Sequence, residues 1–507
     1  MTGYFTICAA TPTRIYLTYK VIASPTKEDE AILNSHSELK LYELPLRRNA
    51  FFHIFISLLL YHLIRAKMKE EFLHYLWKYG LYNPDKLFDS DRNKIIVIHP
   101  GEYNRDSGPD FFNARISIAG TVWAGNVEIH TRSSHFDNHG HHNDPAFNNV
   151  ILHVVAENDK RVFNAKGEEV LTAEIAFDPS LYEKYTSLVN NPYIIACQDE
   201  IKKLDSILVR HWLNSLVIER LQSKSELILK IFSETGNDWE ETFYRLLTRY
   251  FGFRVNAEPF EMLATALPFR IIRKHADNRF QIEALLFGTA GMLEEGLFKE
   301  ALADEYYRNL IKEYRILSAK YSLQPIHGWV WKFSRLRPAN FPTVRISQLA
   351  AMLSVAGGLF SKVLEATEIR QLKEVFEVTA SHYWDDHFVF GKKSRNVSKN
   401  TGSQATGIFL INAVIPVIFV YGHSRDCQDI CERALTFLEN LPAEENTIIG
   451  EWKTAGIEAE SAFYSQALIQ LRNDYCKKRR CLDCRIGSKL ISMGKKLKDH
   501  EELLLEP

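Results

Sequence analysis

Apolar residues follow two rhythms along this chain, and the change between them divides it. From about residue 68 to 178, short apolar runs alternate with turns. Phe72, Leu73, Leu76, Trp77 and Leu81 recur at helical spacing, which predicts an amphipathic helix over 68–83. Residues 95–98 form an apolar run closed by Pro100 and Gly101, the pattern of a strand ending in a turn. Alternation through Ala114, Ile116 and Ile118 predicts a second strand over 111–118, and Gly120 turns it into a third over 121–130, its hairpin partner. A polar loop or short helix is expected over 131–149 and a β-branched strand over 150–156. One or two further strands are expected over 162–177, around the turn at Lys166 and Gly167.

From about residue 179 the helical period takes over. It predicts helices over 207–232, 239–251, 281–298, 303–321, 346–354, 368–382, 427–441 and 455–475. No fixed-period repeat is present, so a solenoid is not expected. The fold class is therefore α+β: a small mixed β-sheet domain over 68–178, followed by a large all-helical domain over 179–507.

Residues 1–67 stand outside this scheme. The stretch 50–64 is apolar but only about 15 residues long, short of the roughly 20 needed to cross a bilayer. It lies too far from the start, and lacks the small-residue cleavage site, for a signal sequence. Met68 opens the first well-formed amphipathic segment. The expectation is that 1–67 is a poorly ordered N-terminal extension upstream of the natural start, with a membrane-associated helix as the alternative. The apolar stretch 407–421 is equally short and carries Pro416, so it is expected to be a buried helix bent at that proline, and no membrane span is expected.

Composition narrows the picture. A hydrophobic fraction of 46% over 507 residues supports a large core, and two or three domains at roughly 100–200 residues each. A formal net charge of -1 gives no overall field to recruit nucleic acid or membrane, so any basic surface is local. Seven cysteines, an odd number with three near the C-terminus, point to a reducing compartment such as the cytoplasm rather than to a disulfide framework.

The chemistry concentrates over 101–155. His130, His135, His139, His141, His142 and His153 gather there with Asp110, Glu128, Asp137 and Asp144, and His99 sits just ahead. Period-2 alternation places Glu128 and His130 on one face of the third strand, within reach of Asp110 if the hairpin pairs. Two close carboxylates repel unless a cation sits between them, and Mg²⁺ or Mn²⁺ takes such oxygen ligands while keeping waters. The bland alternative is a hydrogen-bonded or salt-bridged pair with Arg105, Arg115 or Arg132. The loop residues His139, His141 and Asp144, with His142, offer a second ligand set suited to a transition metal. Otherwise they only brace the loop.

Near the C-terminus, Cys476, Cys481 and Cys484 have the spacing C-x4-C-x2-C, suited to Zn²⁺ or an iron–sulfur centre. The missing fourth ligand would come from Cys431, Cys427 or His423. The alternative is three reduced cysteines packing a turn. Lys477, Lys478, Arg479, Arg480, Arg485, Lys489, Lys495 and Lys496 form a basic stretch that suits phosphate contact or a solvated face. Trp329, Trp331, Lys332, Phe333, Arg335, Arg337 and Phe341 interleave rings and cations, which fits either base stacking or a packing motif.

Pro109–Asp110 followed by Glu128–Ile129–His130 resembles the PD-(D/E)xK nuclease signature, and the order of helix and strands is similar to that core. The resemblance implies that Asp110 and Glu128 hold a metal ion. It puts His130 where that signature has a lysine, a departure that changes how the attacking water is handled. Glu70 or Glu71 would match the acidic helix residue of that superfamily; a solvated first-turn carboxylate is the simpler reading of either. The chain from Met68 onward also resembles an uncharacterised bacterial family of unknown function, DUF2851. The resemblance rests on GPDFFNARI, GNVEIH, HGHHNDPAFNNVILHVV, WKFSRLRPANFP and YCKKRRCLDCRIG, with Ser134–His135–Phe136 departing where Ser-Asp-Trp is expected.

The function expected from these features is metal-dependent phosphodiester hydrolysis on nucleic acid, with Asp110, Glu128 and His130 as catalytic residues. One alternative is a catalytically inactive nuclease-like scaffold that binds nucleic acid or protein. The other is a hydrolase with a histidine-built transition-metal site.

Overall fold

The computed structural model describes residues 2–11, 14–22, 42–45, 68–294, 296–355 and 358–494. It divides into two compact units, residues 1–183 with 494–507 and residues 184–493. The fold is α+β, with a small mixed sheet in the N-terminal region followed by helices. Within 1–67 the described backbone is a separate antiparallel sheet of β1 (Thr2–Thr11), β2 (Arg14–Ile22) and β3 (Tyr42–Pro45). The apolar stretch 50–64 and the basic positions Lys495 and Lys496 lie outside the described residues.

The first unit is built on helix α1 (Glu70–Lys78) and a mixed sheet. Phe72, Leu73, Leu76 and Trp77 are fully buried, each contributing about 1.5–3 kcal/mol. Phe72 packs edge-on against Phe177 and Tyr182. Trp77 stacks on Tyr82 and donates its indole N–H to Pro100 O at 2.9 Å. One helical stripe is thus committed to the sheet. The stripe bearing Glu70 and His74, at i and i+4, is left to face the strand ends.

The sheet comprises β4 (Ile95–His99), β5 (Glu102–Tyr103), β6 (Phe111–Ile118), β7 (Thr121–Arg132), β8 (Val150–Glu157) and β9 (Thr172–Glu174). Its order is β4-β6-β7-β8-β9, with the short β5 on β6. The β6–β7 hairpin is antiparallel as the sequence predicts, and β8 joins β7 in parallel, setting His153 opposite Glu128. The register of β6 shifts between Phe111 and Ala114, where Asn113 adopts φ 58° and its N–H reaches the Asn126 side chain at 3.4 Å. Such a bulge bends the strand and re-aims the residues beside it. Gly125 is required by the β7–β8 pairing, because a Cβ there would stand 2.4 Å from the Ile151 side chain and 2.7 Å from Asn149 O.

In the second unit a continuous apolar core joins helices that include Ser206–Glu234, Trp239–Phe251, Arg279–Thr289, Pro342–Val355 and Ala462–Gln470. The expected all-helical character has one exception, a hairpin of His387–Val389 with Lys392–Lys393. Gly402–Ser424 is long and apolar enough to cross a membrane, contrary to the length read from sequence, but 72% of its most apolar window is buried inside the protein. It reads as a core helix. Rather than a simple bend at Pro416, a π segment Leu410–Val414 leads into Ile415–Ser424. Proline removes one helical donor, and the Lys224 ammonium binds the Ile411 carbonyl at 3.0 Å within that segment.

Candidate metal centre

Asp110 and Glu128 lock together across β6 and β7. The Glu128 Oε2 accepts the Asp110 N–H at 3.2 Å, and the Asp110 Oδ2 accepts the Ile129 N–H at 2.8 Å. Each carboxylate is therefore held by the other's strand. Glu128 Oε1 then stands 3.2 Å from His141 Nε2 and 3.5 Å from His130 Nε2. Among the described residues no arginine pairs with either acid; Arg132 goes to Glu157 at 3.2 Å.

Two ligand groups flank Glu128. Glu70, His74 and Asp110 bring their ligand atoms within 4.8 Å of one another, and so do His130, His139 and His141. His74 Nε2 lies 3.2 Å from Asp110 Oδ2, yet off the line of a hydrogen bond. In the second group His130 Nε2 is 3.1 Å from His139 Nδ1, while His130 Nδ1 is 2.9 Å from His153 Nε2. If His130 donates its Nδ1 proton to His153, its Nε2 lone pair faces His139, His141 and Glu128. That arrangement is how metal-binding imidazoles are oriented by a partner behind them.

The loop carrying His139 and His141 is held from several sides. Asp159 accepts from Ser133 Oγ, Ser134 N and Ser134 Oγ at 2.8–2.9 Å. Lys160 pairs with Asp137 at 2.5 Å. His141 lies flat on Phe147 with ring centroids 3.8 Å apart and meets Phe136 edge-on. Gly140, at φ 82°, makes the reversal that sets His139 and His141 on either side of it.

Burial and close neighbours shift the titration of the cluster. Burial, with Asp110 and Glu128 nearby, pushes the Glu70 carboxyl up to about 7, although His74 opposes this. Burial also raises Glu128, with Asp110 adding to it and His141 opposing. His130 is driven far below its ordinary value by burial and the surrounding histidines, and burial takes His153 down to about 3. Burial opposes charge on His74 as well, but its contact with Asp110 prevails and raises it. A buried acid, two half-buried acids and neutral imidazoles with converging lone pairs are donors that could hold a metal ion.

The sequence-predicted residues divide on this geometry. Asp110, Glu128, His130, His139 and His141 come together. Asp144 does not: it is exposed and accepts the Ala146 N–H at 2.9 Å, capping the turn Pro145–Asn149. His142 turns to Asn143 at 2.7 Å and toward Asp137. His130, expected to handle water, is buried, with Nδ1 toward His153 and Nε2 toward His139. His74 was missed. Of the two acids at the start of α1, Glu70 faces the cluster and Glu71 is exposed beside Lys69. The i,i+4 spacing of Glu70 and His74 was the available signal.

The C-terminal residues are also placed. Cys476, Cys481 and Cys484 are free and lie within one turn-rich segment. Neither proposed partner from the helix Gln428–Glu439 joins them: Cys431 points to Phe419 O at 3.6 Å, and Cys427 is its neighbour. Much of the basic stretch is used internally. Lys478 pairs with Asp474, Arg480 with Asp483, and Arg485 lies over Trp212. Trp331 is buried and donates to Ala290 O, and Asn256 bonds both backbone groups of Lys332, so that segment packs; Trp329 remains exposed.

Residues 70–447 match the model of a family described as Protein of unknown function (DUF2851). The chain belongs to the DUF2851 family. No curated protein and no solved structure matches it. The matched DUF2851 span contains every residue of both ligand groups, and also Cys197, but ends before Cys476.

Proposed function

We propose that the sheet unit is a metal-dependent hydrolase that cleaves phosphodiester bonds in nucleic acid. The observation that carries this reading is the pair of ligand groups flanking Glu128, one carboxylate-rich and one histidine-rich. Glu70, His74 and Asp110 would hold one cation, and His130, His139 and His141 the other, with Glu128 between. Paired cations supply a hydroxide-like nucleophile and offset charge on both oxygens of an in-line displacement. The imidazole content favours Mn²⁺ or another transition ion in the second position over Mg²⁺ alone. His130 is a ligand oriented by His153 in this reading. The mixed sheet, with acids on adjacent strands and an acid on the preceding helix, is consistent with the nuclease-like core that the sequence resembles.

The three-histidine group also supports a second reading, a transition-metal hydrolase for a small substrate. Assays on single- and double-stranded DNA and RNA with Mg²⁺, Mn²⁺ or Zn²⁺ separate the two. Cleavage that falls at least about 100-fold in Asp110→Ala and Glu128→Ala, the scale of losing a charge-stabilising group, supports the nuclease. Binding without cleavage under every metal contradicts it and leaves a scaffold. Hydrolysis confined to small phosphoesters supports the second reading.

A further inference from the structure

We propose that Cys197, Cys476, Cys481 and Cys484 are the four thiolate ligands of an iron–sulfur cluster in the helical unit. The fourth cysteine comes from a loop remote in sequence. Cys197 follows Ile195, and its carbonyl accepts the N–H groups of Glu200 and Ile201 at 3.0 and 2.8 Å; Ile195 and Ile201 anchor the loop in the core. Arg479, lying between Cys476 and Cys481, ties the two segments together. Its guanidinium binds Asn191 O at 2.6 Å and Tyr193 O at 2.8 Å.

The four sulfurs are mutual neighbours. Cys197 feels the charge of Cys484 and Cys481; Cys476 feels Cys484, Cys197 and Cys481; Cys481 feels Cys484. Every pair among the four is thus within electrostatic reach, and none is in a disulfide. Burial raises all four thiols, and the neighbouring sulfurs raise Cys197, Cys476 and Cys481 further. Four buried or half-buried sulfurs within reach of one another, none in a disulfide, are the ligand type of a soft metal centre.

Donors already surround the ligand positions. Backbone N–H groups of Ile486 and Gly487 favour the charged form of Cys484, and so does the Trp212 indole. Trp212 is buried and its Nε1–H has no hydrogen-bond partner among the described residues. Arg479 favours the charged forms of Cys476 and Cys481. Hydrogen bonds to sulfur and nearby charge are what tune a cluster of this kind. Gly487 makes the packing possible, since a Cβ there would fall 2.3 Å from Cys481 O.

Spacing selects the cofactor class. A lone zinc ion with Zn–S bonds of about 2.3 Å would draw its four sulfurs to about 3.8 Å from one another. Among the described residues, the groups converging within 4.8 Å are the two around Glu128, and the cysteines are not one of them. A polynuclear iron–sulfur core fills the wider ring. Ligation replaces each S–H bond with S–Fe and releases the proton to water.

The test is metal and sulfide analysis of the full-length protein, purified without oxygen, as isolated and after reconstitution with ferric iron, sulfide and a thiol reductant. Iron and acid-labile sulfide in equal amounts, with a broad visible absorption that dithionite bleaches, are the expected result. Cys197→Ser should lose most of both while Cys427→Ser keeps them. Zinc without sulfide, a colourless protein with four freely titratable thiols, or full iron retention in Cys197→Ser would overturn the proposal. The wild-type analysis stands even if the serine variant fails to fold.

Discussion

Asp110 has two duties that substitution can separate. Its carboxylate accepts the Ile129 N–H and also converges with the ligand atoms of Glu70 and His74. Asp110→Asn keeps a side-chain acceptor for that N–H and should leave stability nearly unchanged while removing the ion held with Glu70 and His74. Asp110→Ala also orphans the amide and should cost about 1–3 kcal/mol more. Urea denaturation alongside Mn²⁺ titration reads both effects. Glu70 and Glu71 form a similar contrast, because only Glu70 faces the cluster. Glu70→Gln should weaken Mn²⁺ binding at least about tenfold, as losing a supporting carboxylate does, and Glu71→Gln should not.

The pH dependence of the metal-free protein follows from the same residues. His130 and His153 stay neutral in the fold, so the unfolded chain binds more protons below about pH 6.5 and stability falls with acidification there. Glu70, raised to about 7, works the other way: its contribution is full below 4.5 and is lost as pH rises through 7. Removing that contribution in Glu70→Gln should make stability gain more, or lose less, than wild type as pH rises from 4.5 to 7. Melting temperatures across that range, without metal, are the check. Residue identities around 101–155 made the acids and histidines legible in the sequence. Their individual roles were not, because which nitrogen of His130 is free depends on His153 and His139, and only pairing of β7 with β8 sets that.

At the scale of elements, the parallel β7–β8 pairing sets the cluster. Gly125 permits it, so Gly125→Ala should force the strands apart and cost about 1–3 kcal/mol. The same variant should lower Mn²⁺ affinity, because Glu128 and His130 ride on that strand; calorimetric titration against wild type tests it. The strands themselves were legible from alternation, and the helix Trp239–Phe251 matches its expected span. The expected helix over 281–298 instead stops at Thr289. Gly291 adopts φ 68° there, and the Met292 N–H turns back to Phe287 O at 3.0 Å, an ending that apolar spacing alone does not reveal. The expected helix over 455–475 is divided for a related reason: Ile457 N–H returns to Trp452 O after Gly456, and a new helix opens at Ala462.

The whole molecule joins two units with different sources of order. The helical unit has one continuous apolar core, whereas the sheet unit gathers acids and imidazoles into two potential ligand groups. Ligand binding raises the stability of the state that binds it. Calorimetry should accordingly show one transition moved upward by Mn²⁺, and Asp110→Asn should reduce that movement. The division near residue 180 was readable from the change of apolar period. Cys197 was not readable as a partner of the C-terminal cysteines, because nothing in its local sequence marks it; the Arg479 contacts across the fold do.

Direct Mn²⁺ titration of the metal-free protein at neutral pH tests the central claim. The account predicts two bound ions per chain, with one of them lost in Asp110→Asn and the other weakened in His141→Ala. Absence of binding, or binding that is unchanged in both variants, would contradict a metal centre organised around Glu128.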